Sequence, residues 1–119
     1  MLRSLSHLLL SGIFISGGWG AFAQPGRRTQ KVAGAGIPEP EGAVKLNGAI
    51  MVIGGLMLGL NIAPKLAAIL LIGSLVPTTL VGHAFWKESG AGRQGQLTQF
   101  LKNLGLIGGL LIVLAEKDK

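Results

Sequence analysis

The stretch KLAAILLIGSLVPTTLVGHAFWK, from Lys65 to Lys87, decides the fold of this chain. No charged side chain lies between the two lysines, and at about 1.5 Å per residue this interval can cross the ~30 Å hydrocarbon core of a bilayer. Ser74 and Thr78 are four residues apart and share a helical face, which we expect to meet other helices. The stretch predicts a transmembrane helix over residues 66–86, kinked at Pro77.

Three further apolar runs and two polar segments flank this helix. The other predicted spans are residues 4–23, 46–63 and 97–115, and the polar loops are residues 24–45 and 87–96. Four spans with short connections predict an all-α transmembrane four-helix bundle with up-down-up-down topology and both termini on one side. A tight turn at Asn61–Pro64 would close the second and third helices into a hairpin. We expect residues 1–119 to form one membrane domain.

The first apolar run has a second interpretation. Arg3, the apolar core at Leu8–Ile15 and the Ala21-Phe22-Ala23 segment resemble a secretory signal peptide with its cleavage site. However, the run continues through Gly17–Gly20 to spanning length, and the small residues Gly12, Ser16 and Gly20 recur at helical spacing. We therefore expect a retained first helix.

The composition also indicates a membrane protein. Hydrophobic residues make up 49% of the chain and charged residues 13%, unlike a soluble domain of this size. There are no cysteines, which excludes disulfides and thiolate metal sites. The net charge of +6 comes from basic residues placed between apolar runs. Such residues anchor helices to anionic headgroups, so the sequence predicts a lipid bilayer and no nucleic acid as partner.

Two glycine pairs at G-x-x-x-G spacing predict close helix packing. Gly55 and Gly59 lie in the second span, and Gly105 and Gly109 in the fourth. Because only small residues let two backbones approach closely, we expect all four glycines to face neighbouring helices.

One group of polar residues is a candidate functional site. His83 and Trp86 close the third span, and Lys102 and Asn103 follow the start of the fourth, so an antiparallel pair would bring them to one membrane level. Their donors could hold a quinone carbonyl, an anion or an acidic partner residue, and His83 could exchange a proton near neutrality. The alternative is an interfacial belt that only anchors helix ends.

The sequence shows no catalytic or metal-binding constellation. No Asp or Glu lies within a predicted span, which removes the central part of the usual proton relays and cation pathways. His7 is interpreted as a residue at the end of the first helix. The site residues predicted are therefore His83, Trp86, Lys102 and Asn103, with no catalytic residue and no metal ligand.

Several segments resemble one known family. The segments are Asn47-Gly48-Ala49, Gly54-Gly55-Leu56, residues 73–79, Gly82-His83-Ala84-Phe85-Trp86 and residues 100–111, together with residues 9–18 near the start. They resemble the DoxX family of small four-span membrane proteins. The resemblance implies an association with membrane oxidoreductase assemblies and oxidative-stress defence, and a distant relative is a subunit of a thiosulfate:quinone oxidoreductase.

Three functional hypotheses follow. The first is a non-catalytic subunit or scaffold of a membrane redox complex, with other membrane or redox subunits as partners. The second is a quinone-binding component of a thiosulfate:quinone-type oxidoreductase. The third is a small carrier or channel, for which Ser74, Thr78 and Thr79 offer part of a polar pathway. A quinone or a bound lipid is the expected ligand, the bacterial plasma membrane the expected location, and the chain by itself is not expected to be an enzyme.

Overall fold

The computed structural model describes residues 1–24, 26–83, 85–87 and 89–116 of the chain. Its elements are α1 (Leu2–Ala23), α2 (Gly26–Gly34), α3 (Pro40–Gly59), α4 (Pro64–Gly82), a short 3₁₀ helix at Phe85–Lys87, and α5 (Gly90–Ala115). Among the described residues, four helices are long and apolar enough to cross a membrane, namely α1, α3, α4 with its 3₁₀ continuation, and α5. The predicted all-α architecture with four spans is confirmed.

The helix ends differ from the predicted spans. Helix α3 begins at Pro40 rather than at residue 46, and α5 begins at Gly90 rather than at residue 97. The predicted loop 87–96 is therefore mostly helix. Helix α5 has 26 residues, or about 39 Å at ~1.5 Å per residue, which exceeds the hydrocarbon core. Hydropathy marks the part of a helix that lies in lipid, whereas backbone hydrogen bonding continues into water.

The predicted hairpin between the second and third spans is present. Asn61 and Ala63 take left-handed backbone conformations, with φ of 58° and 44°, and the Ile62 N–H donates to the Met57 carbonyl at 2.8 Å. Pro64 then occupies the first turn of α4, where its missing N–H is tolerated. The turn returns the chain along α3, and α3 and α4 pack side by side.

The closest helix pair is α1 against α3. A Cβ on Gly48 would lie 2.6 Å from the Gly18 carbonyl oxygen, and a Cβ on Gly55 would lie 2.8 Å from the Ile15 side chain. A Cβ on Gly59 would lie 2.8 Å from Ser11 Oγ. These contacts confirm that Gly55 and Gly59 face a neighbouring helix, since a larger residue would push the two helices apart.

The prediction for Gly105 is wrong. No atom of the described neighbours lies within 4 Å of the place a Cβ would take on Gly105, although Leu10 does contact that of Gly109 at 3.4 Å. On α1, Gly12 and Ser16 are exposed. The buried face of α1 instead carries His7, Ser11, Phe14, Gly18 and Ala21. The spacing of small residues shows that one face of a helix lacks large side chains, but it does not show whether that face contacts a neighbouring helix.

The core lies between the four long helices. Its buried members are Phe14 of α1, Leu58 of α3, Ala67, Ala68, Leu71 and Leu75 of α4, and Leu110 and Val113 of α5. Helix α4 provides half of these residues. Helix α2 packs across α3 and α4 on the side opposite the termini.

Candidate functional site

A partly open cavity of about 670 Å³ lies between the helices on the α2 side of the bundle. This volume is in the range of small-molecule binding sites, which are mostly apolar with a few placed polar groups. Most lining residues are apolar, including Phe14, Met51 and Leu75. The polar ones are Lys31, Asn47, Thr78, His83, Gln99, Lys102 and Asn103. No carboxylate belongs to the described lining, so its fixed charges are positive.

Helix α2 and the segment after it cover one end of the cavity. Lys31 and Val32 of α2, with Ile37 beyond it, belong to the lining. This short helix falls within the predicted polar loop 24–45. The side chain of Lys31 suits the headgroup level of a bilayer, because long cationic side chains keep their charge at the interface.

His83 and Lys102 are each held by a glutamine amide. The His83 Nδ1 lies 2.8 Å from Gln96 Oε1, so Nδ1 donates, because an amide oxygen only accepts. The Lys102 ammonium donates to Gln99 Oε1 at 2.6 Å. An ammonium carries three donors, so this bond orients Lys102 without using all of its hydrogen-bonding capacity. Both side chains line the cavity.

Asn103 lies deeper than Lys102. It is buried, and its amide donates to Thr79 Oγ1 at 3.0 Å. This bond joins α5 to α4 at the level of the cavity, and Thr79 is buried as well. Asn103 therefore combines two roles, since it ties the two helices together and lines the cavity.

Trp86 lies outside the lining of the cavity. Its ring contacts those of Phe85 and Phe100 edge to face, with centroids 5.4 Å and 5.9 Å apart. Half of its surface is exposed. The structure thus places His83, Lys102 and Asn103 around one cavity and Trp86 in an aromatic cluster beside it. The role of these residues in ligand binding stays a prediction.

A hydrogen-bonded group inside the bundle was not predicted as a unit. Ser74 Oγ donates to Asn47 Oδ1 at 2.7 Å, and Asn47 Nδ2 donates to Thr78 Oγ1 at 2.8 Å. The sequence identified the Ser74 and Thr78 face but missed Asn47, whose only signal is an amide just inside an apolar run. The Thr78 hydroxyl donates to the Ser74 carbonyl at 2.8 Å.

A second unpredicted cluster lies at the opposite end of the bundle. His7 is completely buried, with Nδ1 2.5 Å from Asn61 Oδ1 and Nε2 2.8 Å from Glu116 Oε1. Asn61 also donates to Ser4 Oγ at 2.9 Å, and Arg3 Nε lies 3.7 Å from Glu116 Oε2. His7 lies near the start of the first helix, as interpreted from the sequence, but its contacts with Asn61 and Glu116 were not predicted. The predicted topology is the sequence feature that could have pointed to this cluster, because it places all five residues on the terminal side of the membrane.

The side chains around the cavity are suited to hydrogen bonding rather than to metal binding. Among the described residues, no group of three His, Cys, Asp or Glu side chains could hold a metal ion. The lining offers an ammonium, an imidazole and amides, which donate hydrogen bonds to oxygen acceptors.

Comparison with known proteins places this architecture in a family. The DoxX family model matches residues 4–84, more than half of the chain. The chain belongs to the DoxX family. The matched part of this DoxX protein includes α1, α3, α4 and His83, whereas α5 with Lys102 and Asn103 follows it. No curated protein and no solved structure matches the chain. Family and fold together make it a multi-pass integral membrane protein in contact with the lipid bilayer.

Proposed function

We propose that this DoxX protein is a quinone-binding membrane subunit of a redox complex in the bacterial plasma membrane. One observation carries the proposal: an apolar cavity of about 670 Å³ has His83, Lys102 and Asn103 in its lining. A quinone is an apolar molecule whose ring oxygens accept hydrogen bonds. The cavity combines an apolar wall for such a molecule with hydrogen-bond donors for its ring oxygens.

The chain's own residues have separate roles in this proposal. Lys102 donates hydrogen bonds to a ring oxygen, and the Asn103 amide lies beside it on the same helix. The apolar wall formed by Phe14, Met51 and Leu75 receives the tail. His83 adds an imidazole to the lining, a side chain that can donate or accept a hydrogen bond. A bound quinone would supply two-electron, two-proton redox chemistry.

The role of a subunit is supported by what the lining residues can do. Lysine, histidine and amide side chains bind oxygen acceptors and move protons, but they do not carry electrons. Redox chemistry at this cavity therefore requires a partner protein that delivers or accepts electrons. The need for such a partner agrees with the membrane oxidoreductase assembly that the family resemblance implies. In this proposal the whole chain acts as one membrane domain.

The carrier or channel hypothesis has less support. Ser74, Thr78 and Asn47 form hydrogen bonds with one another. Polar atoms that bond within the bundle serve helix association, and a permeating solute would have to break these bonds. The geometry favours a binding cavity over a conducting path.

Binding of a short-tailed quinone tests the proposal. The purified protein in lipid nanodiscs is titrated with decylubiquinone, with quenching of tryptophan fluorescence as the readout. Lys102→Ala and His83→Ala should each lose binding while retaining the helical circular dichroism spectrum and the thermal transition of the wild type. Lys87→Ala is the matched control, because Lys87 is an exposed lysine that does not line the cavity.

Two outcomes would decide against the proposal. Unchanged quinone affinity in both variants would show that His83 and Lys102 only anchor helix ends at the membrane interface. A lack of any quinone binding by the wild type would leave the scaffold hypothesis, for which purification from the native membrane in mild detergent should recover a stable redox partner.

A further inference from the structure

Helices α1 and α5 lie on two sides of the cavity but touch each other little. Ile13 and Gly17 of α1 line it, and so do Lys102 and Leu106 of α5. Direct contacts between these two helices are far fewer than those in the other neighbouring pairs of long helices. The cavity occupies the space where α1 and α5 would otherwise pack.

The contacts that α1 and α5 do make lie toward the terminal end. Leu10 lies 3.4 Å from the place a Cβ would take on Gly109. One layer further out, His7 Nε2 lies 2.8 Å from Glu116 Oε1. The two helices are therefore joined at the terminal end and separated by the cavity toward the α2 end.

The other sides of the bundle are closed by direct packing. Helices α1 and α3 touch through Gly18 and Gly48, the Asn61–Ala63 turn holds α3 beside α4, and Asn103 bonds α5 to α4. The α1–α5 side is thus the side with a gap. Ile13 lies at its edge, since this residue lines the cavity and is 39% exposed.

We propose that the gap between α1 and α5 is a lateral entrance through which a membrane-dissolved ligand passes directly from the bilayer into the cavity. The His7–Glu116 contact holds the closed end of this entrance. The identity of the ligand, a quinone, rests on the proposed function, but the existence of the opening does not. A molecule with a long apolar tail gains from such a route, because entry from water would expose the tail.

Spin-label accessibility tests the opening without any quinone. The chain has no cysteine, so Gly17→Cys and Leu106→Cys each provide one nitroxide, one on either helix beside the gap. At Gly17 a Cβ would meet only Met51, at an ordinary 3.5 Å. In nanodiscs, both labels should be relaxed by molecular oxygen, which concentrates in the bilayer, and protected from a water-soluble nickel chelate. A label at the exposed Ser16 of α1 provides the lipid-facing reference.

Two results would overturn the entrance. Stronger relaxation by the nickel chelate would show that the cavity opens to water on the α2 side. Protection from both reagents would show that α1 and α5 close over the cavity. Either result would leave quinone binding intact as a separate property, and a failure of quinone titration would leave the oxygen result intact.

The role of the His7–Glu116 contact is tested in the same spin-labelled proteins. Glu116→Ala removes the acceptor of His7 Nε2 and should increase the mobility and oxygen relaxation of the label at Gly17. The matched control is Glu41→Ala, which removes a carboxylate that pairs with Lys45 at 3.5 Å near the start of α3, and it should leave the label unchanged. Equal spectra for the two variants would show that His7 and Glu116 do not hold the entrance.

Discussion

His7 and Glu116 are joined across the bundle, with the imidazole Nε2 2.8 Å from the carboxylate Oε1. The other ring nitrogen faces the Asn61 side-chain oxygen. One imidazole therefore links the beginning of α1, the turn between α3 and α4, and the end of α5. These three points are distant in the sequence and lie on the same side of the membrane.

Removing this imidazole should destabilise the fold. His7→Ala leaves the Glu116 carboxylate without its nearest partner and the Asn61 oxygen without its donor. We expect a loss of about 3 kcal/mol in the free energy of unfolding, as for other broken buried pairs, measured by steric trapping in bicelles. Glu41→Ala removes an exposed pair and should cost less than about 0.5 kcal/mol. Similar losses for both variants would contradict the structural role of His7.

The glycines of α3 and α5 should respond in opposite ways to a single methyl group. A Cβ on Gly48 would meet the Gly18 carbonyl oxygen and the Phe22 backbone nitrogen at 2.6 and 2.8 Å, and backbone cannot move aside. Gly48→Ala should therefore cost about 1–3 kcal/mol. Gly105→Ala adds a methyl where no described neighbour lies within 4 Å, and it should be neutral or stabilising by up to about 1 kcal/mol. Thermal unfolding of both variants in one detergent provides the comparison.

The Asn47 group should couple α3 to α4. Asn47→Leu removes the acceptor of Ser74 and the donor to Thr78, and the loss should be about 1–2 kcal/mol, in line with hydrogen bonds between membrane helices. A double-mutant cycle with Ser74→Ala isolates their interaction. A coupling energy of zero would show that the two side chains do not depend on each other.

Trp86 should separate stability from ligand binding. Trp86→Leu removes the edge-to-face contacts with Phe85 and Phe100, each worth about 0.5–1.5 kcal/mol, so the thermal transition should fall. Because Trp86 does not line the cavity, decylubiquinone affinity should remain close to that of the wild type. The readout is competition with a labelled quinone, since tryptophan fluorescence is altered in this variant. Loss of binding at unchanged stability would place Trp86 in the site after all.

The sequence by itself determined the number of spans and their order. Uncharged runs of spanning length leave few alternatives in a bilayer, because every backbone polar group must be satisfied inside the segment. The Asn61–Pro64 turn and the shared side of the two termini followed from the same pattern. The common membrane depth of His83, Lys102 and Asn103 also followed from the sequence, because two antiparallel helices joined by a short loop return to the same depth.

Only the tertiary structure decided which faces meet. Gly55 and Gly105 carry the same spacing signal, yet one lies against α1 and the other faces open space, because contact depends on how each helix is rotated. Trp86 and Lys102 share a level, but only Lys102 reaches the cavity. The hydrogen bond between His7 and Glu116 could not be predicted for a similar reason. The position of a residue near the end of a helix fixes its depth in the membrane. A hydrogen bond also requires that the two helices are rotated so that the two side chains face each other.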